Sequence, residues 1–233
     1  NWSLPQITGI DTPNADAAGA CEVVCYTSDH GASFAKLSEK QIRTVLEAWK
    51  DRDNALSKLP FIKHIFPFEN RGEEVGVTLS HPHGQIYAYS FLPPRIEKML
   101  EAAKAHLVKT GRVLLDDVIA REIKDQKRII SQNAEWIAYV PFAARYPFEI
   151  HVAPRRSVAD FVALDDAASE SFAPIAKEVL QRLDGVFGVT MPYIASWHQA
   201  PVRQGRDVLR LHWQIQSVRR APGKLKYLAG SES

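Results

Sequence analysis

Two histidines at alternate positions, in the run His81-Pro82-His83-Gly84-Gln85, are the side chains of this sequence best placed to do chemistry. In an extended run every second residue faces the same side, which would hold the two imidazoles about 6 to 7 Å apart, near enough to serve one phosphate group or one metal ion. A neutral imidazole is both a nucleophile and a metal ligand near pH 7. A His-x-His met at random is more often a pair of unrelated polar residues near a turn. Here Pro82 stiffens the loop, Gly84 permits close backbone approach and Gln85 supplies an amide, and together they favour a site.

The elements that must position this run are readable on either side of it. Residues 84–91 alternate in character until Pro93-Pro94 stop them, so a strand is predicted directly after the histidines, which then sit at a loop-to-strand junction. Upstream, residues 21–26 and 61–68 read as strands. Ser38 followed three residues later by Gln41 predicts a capped helix with Ile42, Val45, Leu46 and Trp49 on one face. Helices are predicted over 95–109 and 114–128. A second set follows, with strands over 136–140 and 148–153, a helix over 165–183, and strands over 189–196 and 208–217. Residues 1–20, rich in Pro, Gly, Asp and Ala without an apolar period, read as an irregular lead-in.

The second set ends on Arg210-Leu211-His212-Trp213-Gln214, which shares the pattern basic-x-His-x-Gln with the first histidine run. Three matching positions at the same place in the same element order predict an α+β fold built from a duplicated unit, each half an antiparallel sheet with flanking helices. The first copy spans 21–110 and the second 111–233, and only the first keeps both histidines.

The chain has 233 residues, 45% of them hydrophobic, enough for one large domain or two small ones on the same plan. A net charge of +2 with scattered basic residues argues against a nucleic-acid groove, and no apolar stretch is long enough for a membrane span. With no signal-peptide layout at the start, a cytoplasmic location is expected. The chain opens without methionine and stops at Gly230-Ser231-Glu232-Ser233, so truncation at either end is left open. Cys21 and Cys25 fall on one strand about 13 Å apart, too far for a disulfide or a shared metal, and are expected to be buried thiols. His64, His106 and His151 have no partners in sequence and read as ordinary surface or core histidines.

Phe68-Glu69-Asn70-Arg71-Gly72 followed by His81-Pro82-His83-Gly84-Gln85 resembles galactose-1-phosphate uridylyltransferases, of the histidine-triad superfamily. The resemblance continues through residues 140–149, Trp197-His198-Gln199-Ala200-Pro201 and Lys226-Tyr227-Leu228-Ala229-Gly230, and so covers nearly the whole chain. It implies a ping-pong reaction in which His83 attacks the α-phosphorus of UDP-glucose, releases glucose 1-phosphate and passes UMP to galactose 1-phosphate. Gln85 would donate to a non-bridging oxygen in the transition state, and stands where hydrolytic relatives have a third histidine, which suits transfer over hydrolysis.

The resemblance also implies nucleotide contacts from Asn70 and Thr78, and a homodimer in which Lys226, Tyr227, Gly230 and Glu232 reach the substrate of the other subunit. The lesser alternative for Asn70 is a turn-former before Gly72. The resemblance implies zinc on His30 and His81, but its other two ligands come from an upstream Cys-x-x-Cys that this sequence lacks. At a second metal site the matching positions are Met99, His198, Arg210 and His212; neither Met99 nor the cationic Arg210 replaces the ligand lost there, so iron is not expected. Two other readings remain open at this point: a relative that transfers adenylyl groups to another sugar phosphate or dinucleotide, and a catalytically idle nucleotide-binding subunit.

Overall fold

In the computed structural model, which describes residues 18–229, the chain enters on strand β1 (Gly19–Cys25). Helix α1 (Glu39–Leu56) begins where the Ser38/Gln41 spacing predicts. Ser38 Oγ accepts from the Gln41 amide at 3.3 Å, and Gln41 Oε1 accepts from the Ser38 amide at 3.0 Å. Strands β2 (His64–Arg71) and β3 (His83–Tyr89) follow, then helices α2 (Pro94–Thr110) and α3 (Leu114–Asp125). The second half comprises β4 (Ile129–Gln132), β5 (Trp136–Tyr139), β6 (Phe148–Pro154), helix α4 (Asp166–Gly185), β7 (Tyr193–His198) and β8 (His212–Ser217). A short hairpin of β9 (Arg219–Ala221) and β10 (Lys224–Leu225) closes the described chain.

Eight strands form one antiparallel sheet in the order β1-β3-β2-β7-β8-β6-β5-β4. Its first six strands read as a two-fold: β1-β3-β2 meets β7-β8-β6, with α1 and α4 packed together on one face. The predicted duplication is thus a single sheet, the halves joined edge to edge where β2 pairs with β7. Trp197 and Trp213, stacked with ring centroids 5.7 Å apart, face α1 and α4 with Trp49 and Phe172 in an aromatic core. The opposite face carries Phe66, Phe68, Gln85, Tyr87 and, in the second half, His198, His212 and Gln214, where α2 and α3 lie over it and bury those three.

Several boundaries move. The strand predicted over 61–68 runs three residues later, because the chain continues past α1 in tight turns, with Ile62 donating to the Leu59 carbonyl and Phe61 left exposed. That shift puts Asn70 inside β2, opposite Ile194, and not in a turn. The strand over 189–196 becomes 193–198, and residues 208–211 turn before β8 begins, Leu209 donating to the Gly205 carbonyl. The helix over 114–128 stops at Asp125, where Gln126 takes a left-handed φ of 55°, and β4, absent from the sequence reading, follows. Of the lead-in, residues 1–17 lie outside the described residues, while Gly19 and Ala20 already belong to β1.

The cysteines correct the sequence reading: Cys21 and Cys25 are exposed free thiols. β1 is the edge strand of the sheet, and the face carrying Cys21, Val23 and Cys25 lies uncovered among the described residues.

Candidate active site

β3 begins at His83, so the nucleophile candidate is the first residue of a strand and inherits that strand's fixed direction. Its ring is oriented from behind: Nδ1 lies 2.7 Å from the carbonyl oxygen of His81. A carbonyl only accepts, so Nδ1 carries the proton and Nε2 keeps its lone pair. Two residues on, on the same face, Gln85 Oε1 accepts from the Tyr87 hydroxyl at 3.4 Å. Its Nε2 has no hydrogen-bond partner among the described residues, so the amide can present two N–H donors beside the imidazole. Tyr87 was not singled out from the sequence, although the alternation of the strand places it on the side of Gln85.

Gly84 explains itself here. A Cβ at that position would lie 2.2 Å from the hydroxyl of Tyr26 and 3.2 Å from the Phe68 carbonyl. The close approach that Gly84 allows is therefore made by this protein's own Tyr26, buried against the strand between His83 and Gln85.

A cavity of 380 Å³ opens at the ends of β2 and β3. Asn70, Thr78, His81 and His83 line it, together with Lys36 and Arg71. Asn70 Oδ1 is buried without a partner, an acceptor left for a ligand or water. Gly72, at φ +102°, turns the chain out of β2, and a Cβ there would meet Pro192 at 2.8 Å. Arg71 is anchored to Asp184 and the Met191 carbonyl, and fixes the cavity wall. Behind it, burial pushes the carboxyl of Glu69 up to about 7, against the lowering influence of Arg71.

His30 and His81 meet, their Nδ1 atoms 2.9 Å apart and their rings edge to face. Two nitrogens on one tetrahedral zinc stand about 3.3 Å apart, so the pair is close to the right separation for two of four ligands. Among the described residues no group of three or more His, Cys, Asp and Glu could hold a metal, so the fit is to half a donor set. Of the C-terminal residues, Tyr227 donates its hydroxyl to the Glu74 carbonyl of its own chain at 2.9 Å. Neither it nor Lys226 lines the cavity, and Gly230 and Glu232 lie outside the described residues.

In the second half His212 repeats His83. It opens β8, and its Nδ1 lies 2.9 Å from the carbonyl oxygen of Arg210, two residues back. The outcome differs at the other nitrogen. Gln214, the counterpart of Gln85, donates its amide to His212 Nε2 at 2.9 Å, and His212 is buried. His198 stacks on His212 with centroids 5.3 Å apart, and its Nε2 lies 3.1 Å from Ser196 Oγ. Burial, helped by neighbouring His151, brings His212 down to about 3, and burial with His212 lowers His198 well below the usual range. Arg210 reaches Asp116 of α3 and the Pro154 and Arg156 carbonyls, so a guanidinium occupies the place of a ligand, and Met99 sits half-buried on α2. This set does not fit a metal. His151, read as ordinary, joins the cluster 5.7 Å from His212 and donates to Glu149 at 3.1 Å; His106 pairs with Asp117 at 2.7 Å, and His64 is core.

Residues 10–93 match the model of the galactose-1-phosphate uridyl transferase N-terminal domain, and residues 98–226 match that of the C-terminal domain. The chain belongs to the galactose-1-phosphate uridylyltransferase family. It is 49% identical over 207 residues to a galactose-1-phosphate uridylyltransferase of Streptomyces lividans, an alignment covering 85% of this chain and 58% of that protein. It therefore spans somewhat more than half the length of that relative. A solved uridylyltransferase superposes with a TM-score of 0.87 at 35% identity, covering 92% of this chain and 69% of the other. An ADP-glucose phosphorylase from Arabidopsis thaliana with bound ADP-glucose superposes at 0.82 and 26% identity, covering 92% and 67%. The family's two domain models thus fall on the two halves of one sheet.

Proposed function

We propose that this chain transfers UMP from UDP-glucose to galactose 1-phosphate through a uridylyl-histidine intermediate on His83. The observation that carries this reading is the contrast between sister histidines. Both donate Nδ1–H to a carbonyl two residues back, but His212 Nε2 is capped by Gln214, while Gln85 is turned to Tyr87 and leaves His83 Nε2 free. In the first half-reaction Nε2 attacks the α-phosphorus, the bond to the bridging oxygen breaks, and glucose 1-phosphate leaves with the electron pair. In the second, a phosphate oxygen of galactose 1-phosphate attacks the same phosphorus and the imidazole leaves. Gln85 donates to the non-bridging oxygen as charge shifts there, and the Asn70 and Thr78 side chains lie where they can hold the nucleotide. Nothing here requires a protonated leaving group, which agrees with glutamine at position 85.

A second reading, adenylyl transfer, is favoured by the likeness to the ADP-glucose phosphorylase. The deciding experiment gives the protein UDP-glucose and ADP-glucose, each labelled in the nucleotidyl group. Label from UDP-glucose should bind to His83, survive base and be lost in acid; labelling by ADP-glucose alone would replace the substrate and keep the chemistry.

Zinc on His30 and His81 belongs to the same proposal, with two further ligands supplied from outside the described residues. It would tie the loop at His30 to the start of β3 and so hold the His81 carbonyl that orients His83. So does a homodimer in which the segment carrying Lys226, Tyr227, Gly230 and Glu232 reaches the other copy's nucleotide. Sedimentation at micromolar concentration tests this, and a fully active monomer would refute it. The cytoplasmic location is proposed alongside; no helix among the described residues is long and apolar enough to cross a membrane.

A further inference from the structure

The cavity of 650 Å³ over the second half exceeds the one at His83 in volume. It lies between α2, the start of α3, the loop after β5 and the outward face of β8, three strands from His83 and so about 14 Å away across the sheet. Its walls are apolar, with Met99 and Ala103 from α2, Leu115 and Val118 from α3, and the exposed ring of Phe142.

Its polar lining is unbalanced. The Tyr139 hydroxyl is fully buried and has no hydrogen-bond partner, and the same is true of Nε of the buried Arg210. Arg95 and Arg145 add two guanidiniums. Acceptors are few and mostly used. Glu149 accepts from the Arg145 and Tyr146 amides and from His151, and Gln214 Oε1 accepts from Arg95. His212 adds no free acceptor, since its Nδ1 donates to the Arg210 carbonyl and its Nε2 receives the Gln214 amide, and His151, which donates Nε2–H to Glu149, keeps only Nδ1. Buried donors without partners are costly, and a surplus of donors and positive charge at one end of an apolar cavity is complementary to an amphipathic anion.

We propose that this cavity binds a small amphipathic anion, its apolar body against Met99, Ala103, Leu115 and Val118 and its carboxylate or phosphate head accepting from Tyr139 and from Arg95 or Arg145. The proposal is independent of the reading of His83. No covalent step is involved, because His212 is capped.

The test is calorimetric titration of the chain with 1-naphthyl phosphate, 1-naphthoate and neutral 1-naphthalenemethanol. Either anion should bind at one site per chain, and the alcohol at least 10-fold more weakly. Arg145→Gln should weaken anion binding about 5- to 20-fold, and Ala102→Trp, which fills the mouth from an exposed helix position, should abolish it. Both variants should melt like the parent, and Ala102→Trp should still take nucleotidyl label at His83. Phosphate and naphthoate binding alike would leave the head group to Tyr139 and the arginines; binding of one alone names the source. Equal binding of anions and alcohol, or anion binding unchanged in both variants, would overturn the proposal. So would a dimer that Ala102→Trp dissociates while no probe binds, since the cavity would then be an interface between copies.

Discussion

At His83 the decisive feature is one proton: the His81 carbonyl fixes it on Nδ1, so in the proposed reaction the attacking nitrogen, Nε2, would be defined before substrate arrives. His83→Asn should abolish both labelling and turnover, because an amide is no nucleophile, with the fold retained by circular dichroism. Gln85→Ala should slow both half-reactions about 10- to 1,000-fold, the cost of one transition-state donor. A smaller loss is expected in Tyr87→Phe, which frees the glutamine to rotate without removing it. Gly84 gives a test that involves no substrate. Gly84→Ala should cost about 1–3 kcal/mol in urea melts as its methyl meets Tyr26, and Tyr26→Phe, which removes the hydroxyl at 2.2 Å, should recover part of the loss. If Tyr26→Phe recovers nothing, the close approach is not what selects glycine. His83, Gln85 and Gly84 were legible in the sequence because they lie within five residues; Tyr26 and Tyr87 were not, because their roles come from strand pairing and rotamer, which spacing does not record.

Among the elements, the capped helix was the most legible, since both halves of the Ser38/Gln41 box are local. The strand boundaries shifted at β2, β7 and β8 because apolar residues such as Phe61 and Val208 continue the pattern of a strand into turns that only tertiary contacts define. β1 gave the opposite error. Its alternation was clear, but nothing local reveals that it is an edge strand, and so Cys21 and Cys25 were expected inside. This has a consequence for chemistry. Cys25 is the direct cross-strand partner of His83, and paired residues share a face with Cβ atoms about 4.5–5.5 Å apart. Alkylation with iodoacetamide should therefore block nucleotidyl labelling of His83, and bound nucleotide should slow the block. Cys25→Ser should be resistant, while Cys21→Ser, opposite Tyr87, should remain sensitive. Full labelling of a chain shown by mass spectrometry to be alkylated at Cys25 would mean that the thiol points away from the site.

For the molecule as a whole, the duplicated sheet concentrates buried ionisable groups on both sides of its central strands, and their opposing shifts set how stability depends on pH. Burial lowers His64 to about 4 and, with His151, His212 to about 3, and lowers His198 well below its usual range. Each of these imidazoles takes a proton in the unfolded chain near pH 6.5 but stays neutral in the fold, so each contributes stability above that pH which is lost as pH falls. Burial raises Glu69 to about 7 and Asp53 to about 6, the latter despite a bond from Gln199. These two hold protons in the fold that the unfolded chain has released, so their contribution is complete below about pH 4 and is lost as pH rises through 6 and 7. Between about pH 4.5 and 6 three histidines oppose two acids, so the unfolded chain binds roughly one proton more and stability should rise by about 1.4 kcal/mol per pH unit. Above pH 6.5 the remaining protons of the three unfolded histidines and the proton that Glu69 releases in the fold come to cancel, so the rise fades to a plateau by about pH 7.5. Denaturant melts from pH 4.5 to 8 measure this directly. Glu69→Gln should steepen the rise and carry it on through pH 6.5 to 7.5, and a variant whose slope between pH 5 and 7.5 still matches the parent would show that Glu69 is ionised in the fold.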